Sequence, residues 1–454
     1  MGRAMTGTQF KLFVMMVLEI AVWGAWYPQI FGYLPALGFD AFQQSMILNA
    51  FPIGAILAMF FSTQFADRYF AAEKFLAFSH LVGGASMIGL GMLPSLELAD
   101  PYWPFLILMY IHCIFYVPTV SITNSIAFAH MRDAKKEFGV VRMGGTIGWI
   151  LVAWPFVFLL VDWTKVPQFG TVGFTDWLGK ALGSPLTGAD YLRGANSSFY
   201  VAGVVSLALA VYSLSLPHTP PRKGESLAWV EAMRLLSVPF VLVLWIVTFI
   251  DASIHQCFFS WTFRYLGHVG IPANWVQPVM SIGQVAEIVT MLVLGVVLKN
   301  LGYKATMIVG IMGHAARFLV FAFFPDHPSW IVAVNVLHGI CYAFFFATVY
   351  IFVDQVFPKD ARSSAQGLFN LMILGIGPMV ANFVCPYLFD NVFTSKAADG
   401  ASITDYRGLF LVPAGAALAA IVLMAVAFHP PRALDETTSH GDDVGSERRD
   451  ENWP

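Results

Sequence analysis

The chain of 454 residues is 57% hydrophobic and 15% aromatic, with only 12% charged residues, a mean hydropathy of +0.68 and a formal net charge of −3. A soluble domain carries about 25% charged residues, so a fully hydrated surface cannot be built from this composition. The balance also lacks the basic stripe of a nucleic-acid binder, and no nucleic-acid partner is expected. Four cysteines (Cys113, Cys257, Cys341, Cys385) lie in apolar runs without metal-ligand spacing; they are read as small buried hydrophobes, not as a metal site or disulfide framework.

The first apolar stretch, Phe10 to Leu34, is long enough to span a bilayer core and has no small-residue cleavage site behind it. It carries Glu19, Trp23, Trp26 and Pro28, which a disposable leader would not need. About twelve segments of spanning length follow one another along the chain. Their predicted limits are 10–33, 44–66, 73–93, 104–129, 138–162, 196–215, 238–263, 276–299, 304–324, 329–353, 362–388 and 406–428. Short loops make consecutive helices antiparallel neighbours. A longer connection rich in Gly, Thr and Trp follows the fifth span, and the polar run Leu216 to Glu225 follows the sixth.

This punctuation predicts an all-α membrane protein of about 12 transmembrane helices in 6+6 pseudo-symmetric halves, two parallel-related repeats around a midplane site. The expected units are a six-helix half at 1–215, a cytoplasmic hinge with an amphipathic helix at 216–237, a second half at 238–428 and a disordered cytoplasmic tail at 429–454. Lys and Arg are concentrated in the segments that lie inside if both termini are cytoplasmic, which sets the orientation.

Ionisable residues within spans cost about 2.5–3.5 kcal/mol at a helix centre, so their presence is informative. Glu287 sits mid-span in MSIGQVAEIVTMLVLGVV, with Gln284 one turn earlier on the same face. A carboxyl and an amide facing one cavity suit a polyhydroxylated solute, and a buried carboxyl can hold and release a proton. The other reading of Glu287 is a structural bridge to Arg317, and the two are compatible. Arg142, Thr146 and Trp149 form one stripe of the fifth span, among glycines at 144, 145 and 148 that allow close helix approach; Arg142 could instead snorkel from the helix end. In the seventh span Gln256 ranks above Asp251, which is expected near a membrane surface in contact with water. His338 and Tyr342 share a face of the tenth span, and Glu19 in the first can face a cavity or pack. No Walker loop, HExxH, GxSxG or Cys/His cluster occurs, so neither an enzyme nor a cofactor is expected.

These stretches resemble the nucleoside:H⁺ symporters of the major facilitator superfamily. The matching blocks are VWGAW (22–26), YVPTVSITNS (116–125), VRMGGTIGWI (141–150), LPHTPP (216–221), MSIGQVAE (280–287), AARFLVFAF (315–323), FVDQVFPKDARSSAQGLFN (352–370) and ITDYRGLF (403–410). The resemblance implies a carrier of nucleosides and protons, with the base stacked on aromatics and the ribose held by polar groups. Arg142 and Thr146 match the family's fifth-span pair, Trp149 its aromatic, Gln256 its seventh-span amide, and Gln284 and Glu287 its eighth-span pair. Phe259 stands in place of a polar amide, His338 in place of a Tyr, Tyr342 in place of a Phe and Ala343 in place of an acid. Glu19 stands in place of a Gln.

The reading is therefore proton-coupled nucleoside uptake by alternating access across the cell (inner) membrane, by a monomer in the lipid bilayer. Substrate contacts are assigned to Arg142, Thr146, Trp149, Gln256, Gln284, Glu287, His338 and Tyr342, and proton coupling to Glu287 and Glu19. The alternatives are a carrier of another polyol-like solute such as a sugar, and a non-transporting membrane receptor.

Overall fold

The computed structural model describes residues 5–58, 70–131, 134–221, 233–357 and 362–430. Among them, ten helices are long and apolar enough to cross a membrane. The protein is an all-α membrane protein with the major facilitator fold. In chain order the long elements are α1 (Gly7–Ala36), α2 (Ala41–Leu57), α3 (Ala72–Met92), α4 (Tyr102–His130), α5 (Ala134–Ala153), α6 (Ser197–Ser213) and α7 (Pro239–His268). There follow α8 (273–301), α9 (303–323), α10 (Pro328–Val356), α11 (Ala365–Val392) and α12 (Tyr406–Ala427).

Helix α1 begins with a capping box, in which Thr6 and Gln9 exchange side-chain and backbone bonds. Asp40 and Gln43 do the same at the start of α2. Between α8 and α9 the sequence reading placed a short loop, but Gly302 alone makes the turn, at φ 72° and ψ 175°. Only a residue without Cβ adopts that conformation cheaply.

The chain forms two compact units. One comprises residues 1–224 and 259–282, the other 225–258 and 283–454. In the first unit, α1 packs on α5 through Gly144 and Gly148, whose hydrogens face the carbonyls of Phe13 and Val17. Gly84 and Gly203 abut each other's carbonyls where α3 meets α6. Lipid tails give helices no hydrophobic reason to associate, so small residues that admit backbone-to-backbone packing carry these contacts. The connection after α5 is structured: Val161 bridges Pro185, and Leu182 accepts hydrogen bonds from Asn274 Nδ2 (3.2 Å) and Trp275 Nε1 (3.0 Å). The start of the polar run after α6 is fixed to α3, because Thr219 N donates to Glu73 Oε2 (2.9 Å) and His218 Nδ1 bonds Glu73 Oε1 (2.8 Å).

In the second unit the same device recurs. Gly310 of α9 faces the backbone nitrogen of Phe345 on α10, and Gly377 of α11 faces the Phe249 carbonyl of α7. A two-stranded hairpin, β1 (Thr394–Lys396) with β2 (Ser402–Thr404), joins α11 to α12. Most of the amphipathic helix expected over 226–236, the end of the second span at 59–66, and the tail at 431–454 lie outside the described residues.

Candidate functional site

In the first unit, α5 starts at Ala134, earlier than the sequence reading placed it, so Arg142 stands inside the helix and not at its end. Arg142 and Thr146 are half-buried and Trp149 is buried. Trp149 enters an aromatic group that the sequence reading did not assemble. Trp23 stacks on Phe51 (4.6 Å, 18°) and meets Trp149 edge-on (5.7 Å), while Phe259 meets Tyr27 (5.3 Å) and Trp149 (6.3 Å) edge-on. Such rings offer π-faces to a flat heterocycle. The Trp23 Nε1–H is buried and makes no hydrogen bond among the described residues, which leaves a donor within this group.

Glu19 is fully buried on α1. Its carboxyl accepts from Thr119 Oγ1 (2.8 Å) and lies 2.8 Å from His80 Nε2 on α3. Ser206 Oγ spends its proton on the His80 carbonyl (2.9 Å), so the 2.9 Å contact between His80 Nδ1 and Ser206 Oγ must use the Nδ1–H. The remaining bond, between Glu19 and Nε2, then contains one proton, whichever atom carries it.

In the second unit, α8 and α10 cross at two glycines. A Cβ on Gly283 would meet the His338 side chain at 2.7 Å, and one on Gly339 would strike the backbone of Ala286 and Glu287. This crossing brings His338 and Gly339 of α10 against the stretch of α8 from Gly283 to Glu287, which carries Gln284; Tyr342 lies one turn after His338. Gln284 is buried and Glu287 half-buried. Immediately after Cys341, α10 widens to a π-helical segment at Tyr342–Ala347, a register irregularity found mostly at functional places. Gln256 on α7 donates through Nε2 to Asn382 Oδ1 on α11 (2.7 Å). Asn382 escaped the sequence reading although it is a buried amide in an apolar run, which was the available signal.

His338 has protein partners: Arg317 Nη1 lies 3.0 Å from its Nδ1, and its ring lies 4.8 Å from His255 and 4.9 Å from Phe258. Arg317 also bonds His314 Nδ1 through Nη2 (3.0 Å) and sits 3.9 Å above the Phe258 ring. Asp251 corrects an expectation. It is fully buried, not at a water-contacting surface, because α7 continues for several turns on either side of it.

Comparison with known proteins agrees with this architecture. The sequence family described as Nucleoside H+ symporter matches residues 6–169 and 161–433. The chain is 28% identical to YegT of Escherichia coli (strain K12), with 91% of this chain and 92% of YegT covered. It is 23% identical to the xanthosine permease of the same strain, covering 93% and 97%. The crystal structure of the nucleoside transporter NupG superposes with a TM-score of 0.73 at 20% identity, covering 94% of this chain and all of that one. A polytopic helical chain, matched by the family over nearly all of its described length and carrying buried acids and amides within its helices, belongs to the nucleoside H⁺ symporter family and carries out proton-coupled nucleoside uptake.

Proposed function

We propose that the nucleoside is bound by Arg142, Thr146 and Trp149 of the first unit and by Gln256, Gln284, Glu287, His338 and Tyr342 of the second. The observation that carries this reading is the crossing of α8 and α10, where Gly283 meets the His338 side chain and Gly339 meets the backbone of Ala286 and Glu287. Sugar hydroxyls suit the amides and the carboxyl, since each such group accepts or donates more than one hydrogen bond. The aromatic group around Trp149 suits the base. Arg142 adds a fixed charge in a low-dielectric setting, where hydrogen bonds to charged groups are strongest.

Glu287 and Glu19 are proposed to carry the coupled proton. Glu287 is the half-buried acid of the crossing, and Glu19 is hydrogen-bonded to His80. Proton binding neutralises a carboxylate that the bilayer disfavours; loading from outside in that form and release inside would reset the carrier by alternating access. The wider assignment places a monomer in the cell (inner) membrane with both termini cytoplasmic. Residues 1–215 and 238–428 are its halves, 216–237 its cytoplasmic hinge and 429–454 its tail. It carries nucleoside and proton without covalent chemistry on either.

Replacement Glu287→Gln tests the central assignment. In liposomes with an inward proton gradient, accumulation of labelled uridine above equilibrium should be lost. Accumulation equal to that of the unaltered carrier would remove Glu287 from the coupling path.

A further inference from the structure

The second unit contains a buried polar cluster that the assignment above leaves partly unused. Asp251 and His255 come from α7, His314 and Arg317 from α9, and His338 from α10. Asp251, His314 and Arg317 are 0% exposed, His338 is buried and His255 is half-buried. Cys341 of α10 lies within electrostatic reach of both Arg317 and Asp251. Helix α11 presents Gly377 to this part of α7, against Ala252.

The hydrogen bonds fix the protonation of the histidines. A guanidinium only donates, so the Nδ1 atoms of His314 and His338, each 3.0 Å from Arg317, must both accept. Each ring is then neutral with its proton on Nε2. The Nε2–H of His314 points towards Asp251, whose Oδ2 lies 3.6 Å away. That distance is too long for a hydrogen bond, and among the described residues neither carboxyl oxygen of Asp251 has a hydrogen-bond partner. A second proton on His314 would have to displace Arg317. The acid is the one member of the trio Asp251, His314 and Arg317 that can gain a proton without breaking a bond already made.

The first unit supplies an independent parallel. Glu19 and Asp251 stand equally far from the starts of their helices, which begin at Gly7 and Pro239. Each faces a histidine two helices further on, His80 of α3 and His314 of α9. The two halves of a major facilitator are parallel repeats, so these acid–histidine pairs are equivalents. The first is closed at 2.8 Å and the second open at 3.6 Å.

We propose that Asp251 is a second proton-binding site of the carrier, paired with His314 as Glu19 is with His80. The incoming proton ends on Oδ1, giving the carboxylic acid, while Oδ2 keeps its place before the His314 Nε2–H. On release the proton returns to solvent and the carboxylate is balanced by Arg317. Arg317 acts on this acid through its fixed charge. Occupancy is therefore decided by where Arg317 sits. Arg317 is held by His338, one turn before the π-helical segment of α10, so a register change there would switch the site. The site lies five residues from Gln256 on α7, which links it to the nucleoside.

The proposal rests on the reading of the chain as a proton-coupled carrier, but its spectroscopic readout needs no nucleoside and does not depend on the role given to Glu287. Infrared difference spectra between high and low pH, recorded on the full chain in liposomes, report the carbonyl band of buried carboxylic acids. Asp251→Asn should delete one band that Glu287→Gln leaves in place. Asp251→Glu should restore a displaced band, and His314→Gln should shift the pH at which the native band appears. A matched measurement of protons moved per nucleoside should fall by one in Asp251→Asn. Unaltered spectra in Asp251→Asn overturn the proposal. If that variant does not fold, a band in His314→Gln with the native position and pH overturns it equally. Loss of the Asp251 band together with full accumulation by Glu287→Gln would keep this site and discard the Glu287 assignment.

Discussion

Gly339→Ala is the sharpest probe of the α8–α10 crossing. A Cβ built at this glycine lies 2.6 Å from the Ala286 carbonyl carbon and 2.8 Å from the Glu287 Cα, with the Glu287 nitrogen nearer still. Van der Waals contact between such atoms begins near 3.5 Å, so the helices must separate by about 1 Å. The neighbours are backbone atoms and cannot rotate away. Overpacking of this kind costs roughly 1–3 kcal/mol, which is about 5- to 150-fold in an equilibrium constant. The displaced group includes Glu287, so the loss should fall on nucleoside affinity and on pH-driven accumulation as well as on thermal stability. Gly295→Ala on α8, the helix of Glu287, is the control, because nothing lies within 4 Å of its added methyl; a helix-interior Gly-to-Ala change there should be neutral or stabilising by about 0.5–1 kcal/mol. The measurements are labelled-uridine uptake in liposomes and thermal unfolding of the purified carrier. Uptake and stability in Gly339→Ala equal to those of Gly295→Ala would refute the close crossing.

Two further outcomes test the flanking groups. Trp23→Phe keeps the ring and removes the buried Nε1–H; if that donor serves the nucleoside, affinity falls by about 0.5–1.5 kcal/mol, measured by equilibrium binding of labelled uridine, while unchanged or tighter binding would exclude the contact. Cys257 and Cys385 bring their sulfurs to 3.1 Å between α7 and α11, beside the Gln256–Asn382 bond; a thiol oxidant should cross-link them and lower uptake, reversibly with dithiothreitol, and Cys257→Ala should abolish the sensitivity. Oxidant sensitivity that persists in Cys257→Ala would assign the effect elsewhere.

The candidate site was legible in part. Glu287, Gln284, Arg142 and Gln256 stood out because a charge or amide within an apolar run has few reasons to be there. Trp149 was found through its stripe on α5, but Trp23, Tyr27 and Phe51 were not, since aromatic rings in a chain with 41 Phe and 13 Trp residues carry no individual signal. Asp251 was misplaced. Hydropathy gives a residue's position along a helix only to within a turn or so, and burial at that point depends on which neighbours cover it.

That this protein crosses a membrane many times as α-helices is readable from its residues alone. Charge depletion and spanning-length apolar runs suffice for that, because a backbone in hydrocarbon must satisfy its own hydrogen bonds within each segment. Its ordered blocks of motif carried the family as well. Which polar groups meet is settled by the helix packing instead. Glu19 meets His80 across 61 residues of chain, and Asp251 faces His314 across a similar gap. Such meetings depend on helix crossings set by glycines, and the energy that makes a buried acid titratable comes from those three-dimensional neighbours, which no local pattern encodes.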